Sequence, residues 1–195
     1  MQIEKENWIL PKVLEERARE NYDQPFIRFE DFEEETYGEC YEKSLSIANG
    51  IKNRMGIARG DNVVIMSPNT LDLIHCWFAI NILGAVEVPL NYAYRHGSLE
   101  YALNNSKAKV AFIDEQLLER LLPIEKDLLY LEKVIPISNP KVSNTTRYPK
   151  FHNINIVALG DLKEEKPVSI HQDISIEDPA TIIYTSGTTG PPKGV

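Results

Sequence analysis

With 195 residues, 43% hydrophobic and 26% charged, the chain can bury a core of ordinary size and is not of disordered composition. Its length allows one domain, or one subdomain of something larger. The formal net charge of −8 argues against a nucleic-acid partner, which needs clustered Lys and Arg, so any positive field must be local.

In chain order, residues 25–29 and 33–37 read as two short strands joined around Asp31, a candidate hairpin. From 38 to 55 the apolar positions Tyr41, Leu45, Ala48, Ile51 and Met55 recur at three and four residues, an amphipathic helix that Gly56 can cap. Strand and helix then alternate: strand 62–66, helix 71–83, strand 86–90, helix 99–105, strand 110–113. Apolar strands reached by helical crossovers predict an α/β fold, a mostly parallel sheet with helices on its faces. Residues 115–122 are expected as a further helix and 133–137 as a strand. The tract 139–150, rich in Pro, Ser, Asn and Thr, reads as an exposed loop. Residues 154–159 return to the sheet, and 162–178 form a polar connection to the strand before the last segment.

Most of the usual chemical signals are weak. Cys40 and Cys76 form no CxxC pair and accompany no histidine at metal spacing, so they read as reduced thiols in or near the core. His75, His96, His152 and His171 are too scattered for a metal site or a triad. Glu30, Asp31, Glu33, Glu34 and Glu35 lack the ligand spacing and glycine of a calcium loop and read as a solvated hairpin tip. Tyr92 and Tyr94 beside Asn91 read as packing at the end of a strand, with a ligand entrance as the other reading. The apolar stretch 73–90 is interrupted by His75, Asn81, Gly84, Glu87 and Pro89, which suits a buried helix and strand and not a membrane span. Residues 1–10 hold Glu4 and Glu6 and no apolar run, so no secretory signal is read and the expected compartment is the cytoplasm. The sequon Asn144, Thr145, Thr146 is then expected to stay unmodified.

The strongest signal is the segment 184–195, YTSGTTGPPKGV, set directly behind the apolar run Thr181, Ile182, Ile183. Gly187, Gly190 and Gly194 can enter conformations closed to other residues, so several N–H groups can converge on one anion. Thr185, Ser186, Thr188 and Thr189 add hydroxyl donors, and Lys193 supplies a compact positive charge. The order of residues reads as a loop that wraps a polyphosphate. A Walker loop needs four residues between its first glycine and the glycine–lysine pair, and a Rossmann turn needs GxGxxG; neither spacing occurs here. Ser186 has no neighbouring base and no GxSxG elbow, so phosphate contact suits it better than nucleophilic attack.

This segment resembles the phosphate-loop signature of the adenylate-forming enzymes, the superfamily of acyl-CoA synthetases, luciferases and peptide-synthetase adenylation domains. Thr36, Tyr37, Gly38 and Glu39 resemble the TYxEL element of that family, with Cys40 in place of the leucine. Gly60 and Asp61 resemble its GD step, and Leu83, Gly84, Ala85 with Val88, Pro89, Leu90 and Asn91 its next landmark. The resemblance implies the N-terminal part of the AMP-binding domain, running to the phosphate loop and without the C-terminal domain. It implies ATP, Mg2+, CoA and a small carboxylic acid as substrates and cofactors, with the magnesium ligand, the hinge and the catalytic lysine further along a longer enzyme. Asn91 and the tract 94–110 are more similar to acyl-CoA ligases, including those for fatty or carnitine-like acids, than to amino-acid-activating domains.

The phosphate-binding residues implied are Thr185, Ser186, Gly187, Thr188, Thr189, Gly190 and Lys193, with no catalytic residue and no metal ligand assigned in this chain. Two other readings remain open: a stand-alone nucleotide-binding or interaction module, which includes an inactive remnant, and an adenylation domain that loads a carrier-protein thiol. If the chain is a piece of a larger domain, residues 86–90 and 181–184 are expected to form an exposed apolar patch.

Overall fold

The computed structural model describes residues 8–28, 34–138, 148–163, 173–185 and 193–195. Its first helix, α1 (Leu10–Glu20), has Pro11 in the opening turn, where a missing N–H costs no intrahelical bond, and it buries Leu14 and Ala18. This helix is absent from the elements expected above. Its apolar positions Leu10, Leu14 and Ala18 recur every four residues, but charged neighbours dilute the pattern.

β1 (Pro25–Arg28) and β2 (Glu34–Thr36) pair antiparallel, with Ile27 opposite Glu35. Phe29, Glu30, Asp31 and Glu33 lie outside the described residues. Thr36 then starts α2 (Tyr37–Gly50). Its hydroxyl accepts from Glu39 N–H at 3.2 Å, and the Glu39 carboxylate accepts from Thr36 N–H at 3.0 Å, a reciprocal capping box. The α-helix expected to reach Met55 instead widens into a π-turn over Ile51–Met55, which keeps Ile51 buried and ends at Gly56 with φ +70°.

The sheet contains β3 (Asn62–Met66), β4 (Val86–Pro89), β5 (Val110–Asp114), β6 (Lys133–Ile137) and β7 (Asn155–Ile156), all parallel, in the order β4-β3-β5-β6-β7. Between them run α3 (Leu71–Ile82), capped by the Thr70 hydroxyl on Leu73 N–H at 3.1 Å, and α4 (His96–Ser106), three residues longer at its start than expected. The two-residue period of the strands divides the core. Val63, Ile65, Phe112 and Ile135 face α2 and α3, while Val64, Met66, Ala111 and Ile113 face Leu99, Leu103 and Leu118 on the other side.

Two expected elements change form. Residues Glu115–Leu121 make a 3-10 helix and not an α-helix. Leu118 and Leu121, both fully buried, stand three residues apart as that tighter helix requires, and Pro123 blocks continuation. The strand expected over 154–159 shrinks to β7, because Leu159–Leu162 turns into a short helix, α5, that buries Leu159 and Leu162. Residues 139–147 of the Pro- and Ser-rich tract lie outside the described residues.

Gly50 fixes the approach of α2 to α5. A Cβ built there would lie 1.9 Å from the Leu162 carbonyl oxygen, backbone that cannot swing aside. Gly50→Ala is therefore expected to lose about 1–3 kcal/mol of stability, read as a lower denaturant midpoint at unchanged slope. An unchanged midpoint would show that this close approach is absent in solution.

Candidate functional site

The geometry of the last segment begins at Glu87. Its N–H donates to the Ala180 carbonyl at 3.0 Å and its carbonyl accepts from Ile182 N–H at 2.8 Å, a parallel bridge that adds Thr181 to the β4 edge. A parallel contact gives the chain the direction of β4, so it leaves toward the carboxyl ends of the strands, where ligands of open α/β sheets bind. There β8 (Tyr184–Thr185) and β9 (Lys193–Gly194) pair antiparallel, with Thr185 opposite Lys193 and Tyr184 opposite Gly194. Ile183 and Val195 exchange both main-chain hydrogen bonds, at 2.9 and 3.0 Å, and close the base. Gly194 permits the approach: a Cβ there would come within 2.8 Å of Ile182 Cγ2.

Of the expected phosphate-binding residues, the structure thus describes Thr185 and Lys193, brings them face to face and leaves both exposed. Ser186, Gly187, Thr188, Thr189 and Gly190 lie outside the described residues. Among the described residues no carboxylate lies within ion-pair distance of Lys193. Tyr184 anchors the hairpin laterally, its hydroxyl donating to Asn105 Oδ1 on α4 at 2.7 Å. Neither Asn105 nor Glu87 was expected at the site, and no spacing signal links either to residues 180–184.

The same edge carries the turn after β4. Asn91 Oδ1 accepts from Ala93 N–H at 2.8 Å, Tyr92 is exposed, and Tyr94 packs on the core. Arg120, from the 3-10 helix after β5, donates to the carbonyls of Tyr92 and Tyr94 and so joins the exits of β4 and β5. Two cavities of about 210 Å3 lie elsewhere. One sits at the amino ends of β3, β5 and β6 beside Lys107, Lys109 and Lys133, the other between Trp8–Pro11 and Ile174–Ala180.

Three expectations need correction. Glu35 is not part of a solvated hairpin tip: it is 1% exposed, because the two-residue period of β2 turns it inward while Glu34 faces out. Its carboxylate meets His75 Nε2 at 2.6 Å and Lys43 Nζ at 2.7 Å. Burial would raise this carboxyl, but those two hydrogen bonds outweigh it and hold it low. The histidines are scattered in sequence, yet His75 meets Glu35 and Cys40 in space, three elements converging where no spacing rule applies. The third correction concerns the apolar patch. Val86, Val88 and Leu90 are buried, Val88 and Leu90 in the core cluster with Leu99 and Leu118, and of the expected contributors Ile183 is the large apolar side chain that stands open, at 52% exposure. Cys40 and Cys76 are free and buried as expected, with burial pushing the Cys40 thiol up to about 12.

A family model described as AMP-binding enzyme matches residues 14–195. The chain is 30% identical to 4-hydroxybutyrate–CoA ligase 2 of Metallosphaera sedula over 162 residues, which is 82% of this chain and 29% of that protein. It is 28% identical to a crotonobetaine/carnitine–CoA ligase of Proteus mirabilis over 82% of this chain and 30% of that one. The chain therefore spans less than a third of the length of these relatives. In structure it is similar in fold to the anthranilate CoA ligase AuaEII in complex with anthranoyl-AMP, with a TM-score of 0.82 and 22% identity over 97% of this chain and 34% of that one.

The Glu87 side chain lies directly beneath the bridge that positions the hairpin. It is 8% exposed, and burial raises its carboxyl from the ordinary 4.5 to about 7 against hydrogen bonds from Thr181 and Trp77. The folded chain therefore keeps a proton there that the unfolded chain releases near 4.5, so stability falls as pH rises from 4.5 through 7. Glu87→Gln, which cannot ionise, should be more stable than the parent at pH 8 by up to about 3 kcal/mol and equal to it below pH 4.5. Parallel pH–stability curves for the two proteins would contradict this.

Proposed function

Because the chain belongs to the AMP-binding enzyme family, we propose that it is the N-terminal part of an ATP-dependent, AMP-forming acyl-CoA ligase. The enzyme joins a carboxylic acid to the α-phosphate of ATP, releases pyrophosphate, and passes the acyl group to the thiol of CoA. The observation that supports this reading best is the hairpin that sets Thr185 opposite Lys193 at the carboxyl edge of a parallel sheet, with the hydroxyl- and glycine-rich residues 186–192 between them. In the first step negative charge grows on the departing pyrophosphate, so the protein must supply positioning and electrostatic stabilisation. Lys193 meets that charge and moves with it, being a point charge on a flexible stem. Thr185, Ser186, Thr188 and Thr189 supply hydroxyl donors for the phosphate oxygens, and glycine at 187 and 190 is the residue type that lets several amides converge on one anion.

A magnesium ion is expected to share the triphosphate charge; Thr185, Lys193 and Gly194 at the base of the loop offer it no carboxylate, and its protein ligand belongs to the rest of the longer enzyme. The acceptor is CoA, in keeping with the named relatives. The enzyme acts in the cytoplasm; no helix among the described residues is long and apolar enough to cross a membrane.

Acid-dependent pyrophosphate exchange tests the reading. The longer protein should exchange with at least one member of a panel that includes 4-hydroxybutyrate, crotonobetaine, carnitine and fatty acids, and exchange with none would overturn it. The 195-residue chain alone should make no acyl-adenylate, because the surfaces that close over adenine and exclude water come from elsewhere. In the longer protein, Lys193→Ala removes one charge-assisted contact of roughly 1.5–3 kcal/mol, so adenylation should slow about 10- to 150-fold. Thioester formation from pre-formed acyl-adenylate should keep its rate, since pyrophosphate has already left. Equal slowing of both steps, or of neither, would remove Lys193 from the leaving phosphates.

A further inference from the structure

Away from the hairpin, one group of side chains is unused by the reaction. Glu35 from β2, Cys40 from α2 and His75 from α3 place a carboxylate oxygen, Sγ and a ring nitrogen within 4.8 Å of one another, and their exposures are 1%, 0% and 3%. We propose that these three residues form a binding site for one zinc ion, held by Glu35 Oε1, Cys40 Sγ and His75 Nε2.

The donor set suits the metal: a thiolate, an imidazole and a carboxylate are the ligands zinc takes, and three protein ligands leave a fourth position for water. Tetrahedral bonds of roughly 2.0–2.3 Å set donor atoms about 3.3–3.6 Å apart. The three donor atoms, within 4.8 Å of one another, come to that spacing by side-chain rotation, which also opens the 2.6 Å contact between Glu35 Oε1 and His75 Nε2. The imidazole has a second carboxylate near its other nitrogen. Asp72, three residues earlier on α3, places Oδ1 3.9 Å from His75 Nδ1, the carboxylate behind a histidine that aims its other nitrogen at a metal.

Charge closes as well. Binding displaces the Cys40 thiol proton to solvent, and the thiolate with the Glu35 carboxylate neutralises the two charges of the ion; outside them Lys43, 2.7 Å from Glu35 Oε2, and Lys163, 3.8 Å from Asp72 Oδ1, are both half exposed and screened by water. Neutrality matters because an uncompensated ion in a dry interior is very costly. Cys40 also stands where the TYxEL element has leucine, so the thiol is a feature of this chain and not of the motif. The bound ion would fasten β2 to α2 and α3.

Purified protein stripped with a chelator and titrated with zinc chloride should take up one equivalent by elemental analysis and unfold at a higher temperature. Cobalt(II) chloride in its place should give a thiolate charge-transfer band and the strong visible bands of a tetrahedral site. Both signals should vanish in Cys40→Ser and His75→Gln and persist in Cys76→Ser, which alters a buried thiol outside the cluster; Asp72→Asn should bind zinc about 10- to 100-fold more weakly. Should Cys40→Ser fail to fold, zinc-edge X-ray absorption of the unaltered protein decides, with one sulfur in the coordination shell expected. Failure to bind zinc, a sulfur-free shell, or a folded Cys40→Ser that retains the cobalt thiolate band would each overturn the site. None of these outcomes bears on pyrophosphate exchange.

Discussion

Glu87 donates its amide to Ala180 and accepts from Ile182, and through these two bonds a segment far downstream becomes the neighbour of β4. Everything proposed for the hairpin follows from that parallel contact. An antiparallel docking of the same residues would carry Thr185 and Lys193 toward the amino ends of the strands, beside the cavity with Lys107, Lys109 and Lys133 and away from the turns after β4 and β5. The contact is main-chain, and its weakness is electrostatic, since a carboxyl raised to about 7 by burial lies against it.

The sheet around this contact is organised for divergence. The chain leaves β3 toward the face covered by α2 and α3, whereas it leaves β4 and β5 toward the face covered by Leu99, Leu118 and Leu121. Neighbouring exits that part in this way open a crevice at the carboxyl edge, the usual place for a nucleotide on such a sheet. Arg120 and Asn105 then tie the separate pieces of that edge together, Arg120 across the turns and Asn105 to the hairpin.

The alternation of apolar strands with helical periodicity was legible in the sequence, and so was the end at Gly56 of the helical run that α2 begins, because both are local patterns. The family was legible for a different reason: the glycines, hydroxyls and lysine that carry the resemblance stand together in one segment, 184–195. What escaped is nonlocal or diluted. α1 carries its apolar stripe among charged residues, and the 3-10 helix at Glu115–Leu121 differs from an α-helix by packing constraints at Leu118, Leu121 and Pro123. Glu35 was misread because a run of acidic residues looks uniformly solvated, while a strand turns alternate members inward. The convergence of Glu35, Cys40 and His75 had no spacing to reveal it, since it depends on the packing of α2 against α3.

The Arg59–Asp178 pair, in which Arg59 Nη2 donates to both carboxylate oxygens at 2.9 and 2.7 Å, joins the turn before β3 to the stretch that precedes Thr181. Its partners are separated by 119 positions, so it and the Glu87 bridge can form only after the intervening chain has condensed. Closing so long a loop is entropically costly until the strands that it spans are in place. The order of assembly follows: β3, β4 and β5 make an edge first, and the hairpin is laid onto it last. A chain interrupted during synthesis between Leu162 and Ala180 would therefore hold most of its core and present β4 as a bare strand, the kind of edge that recruits other chains into aggregates.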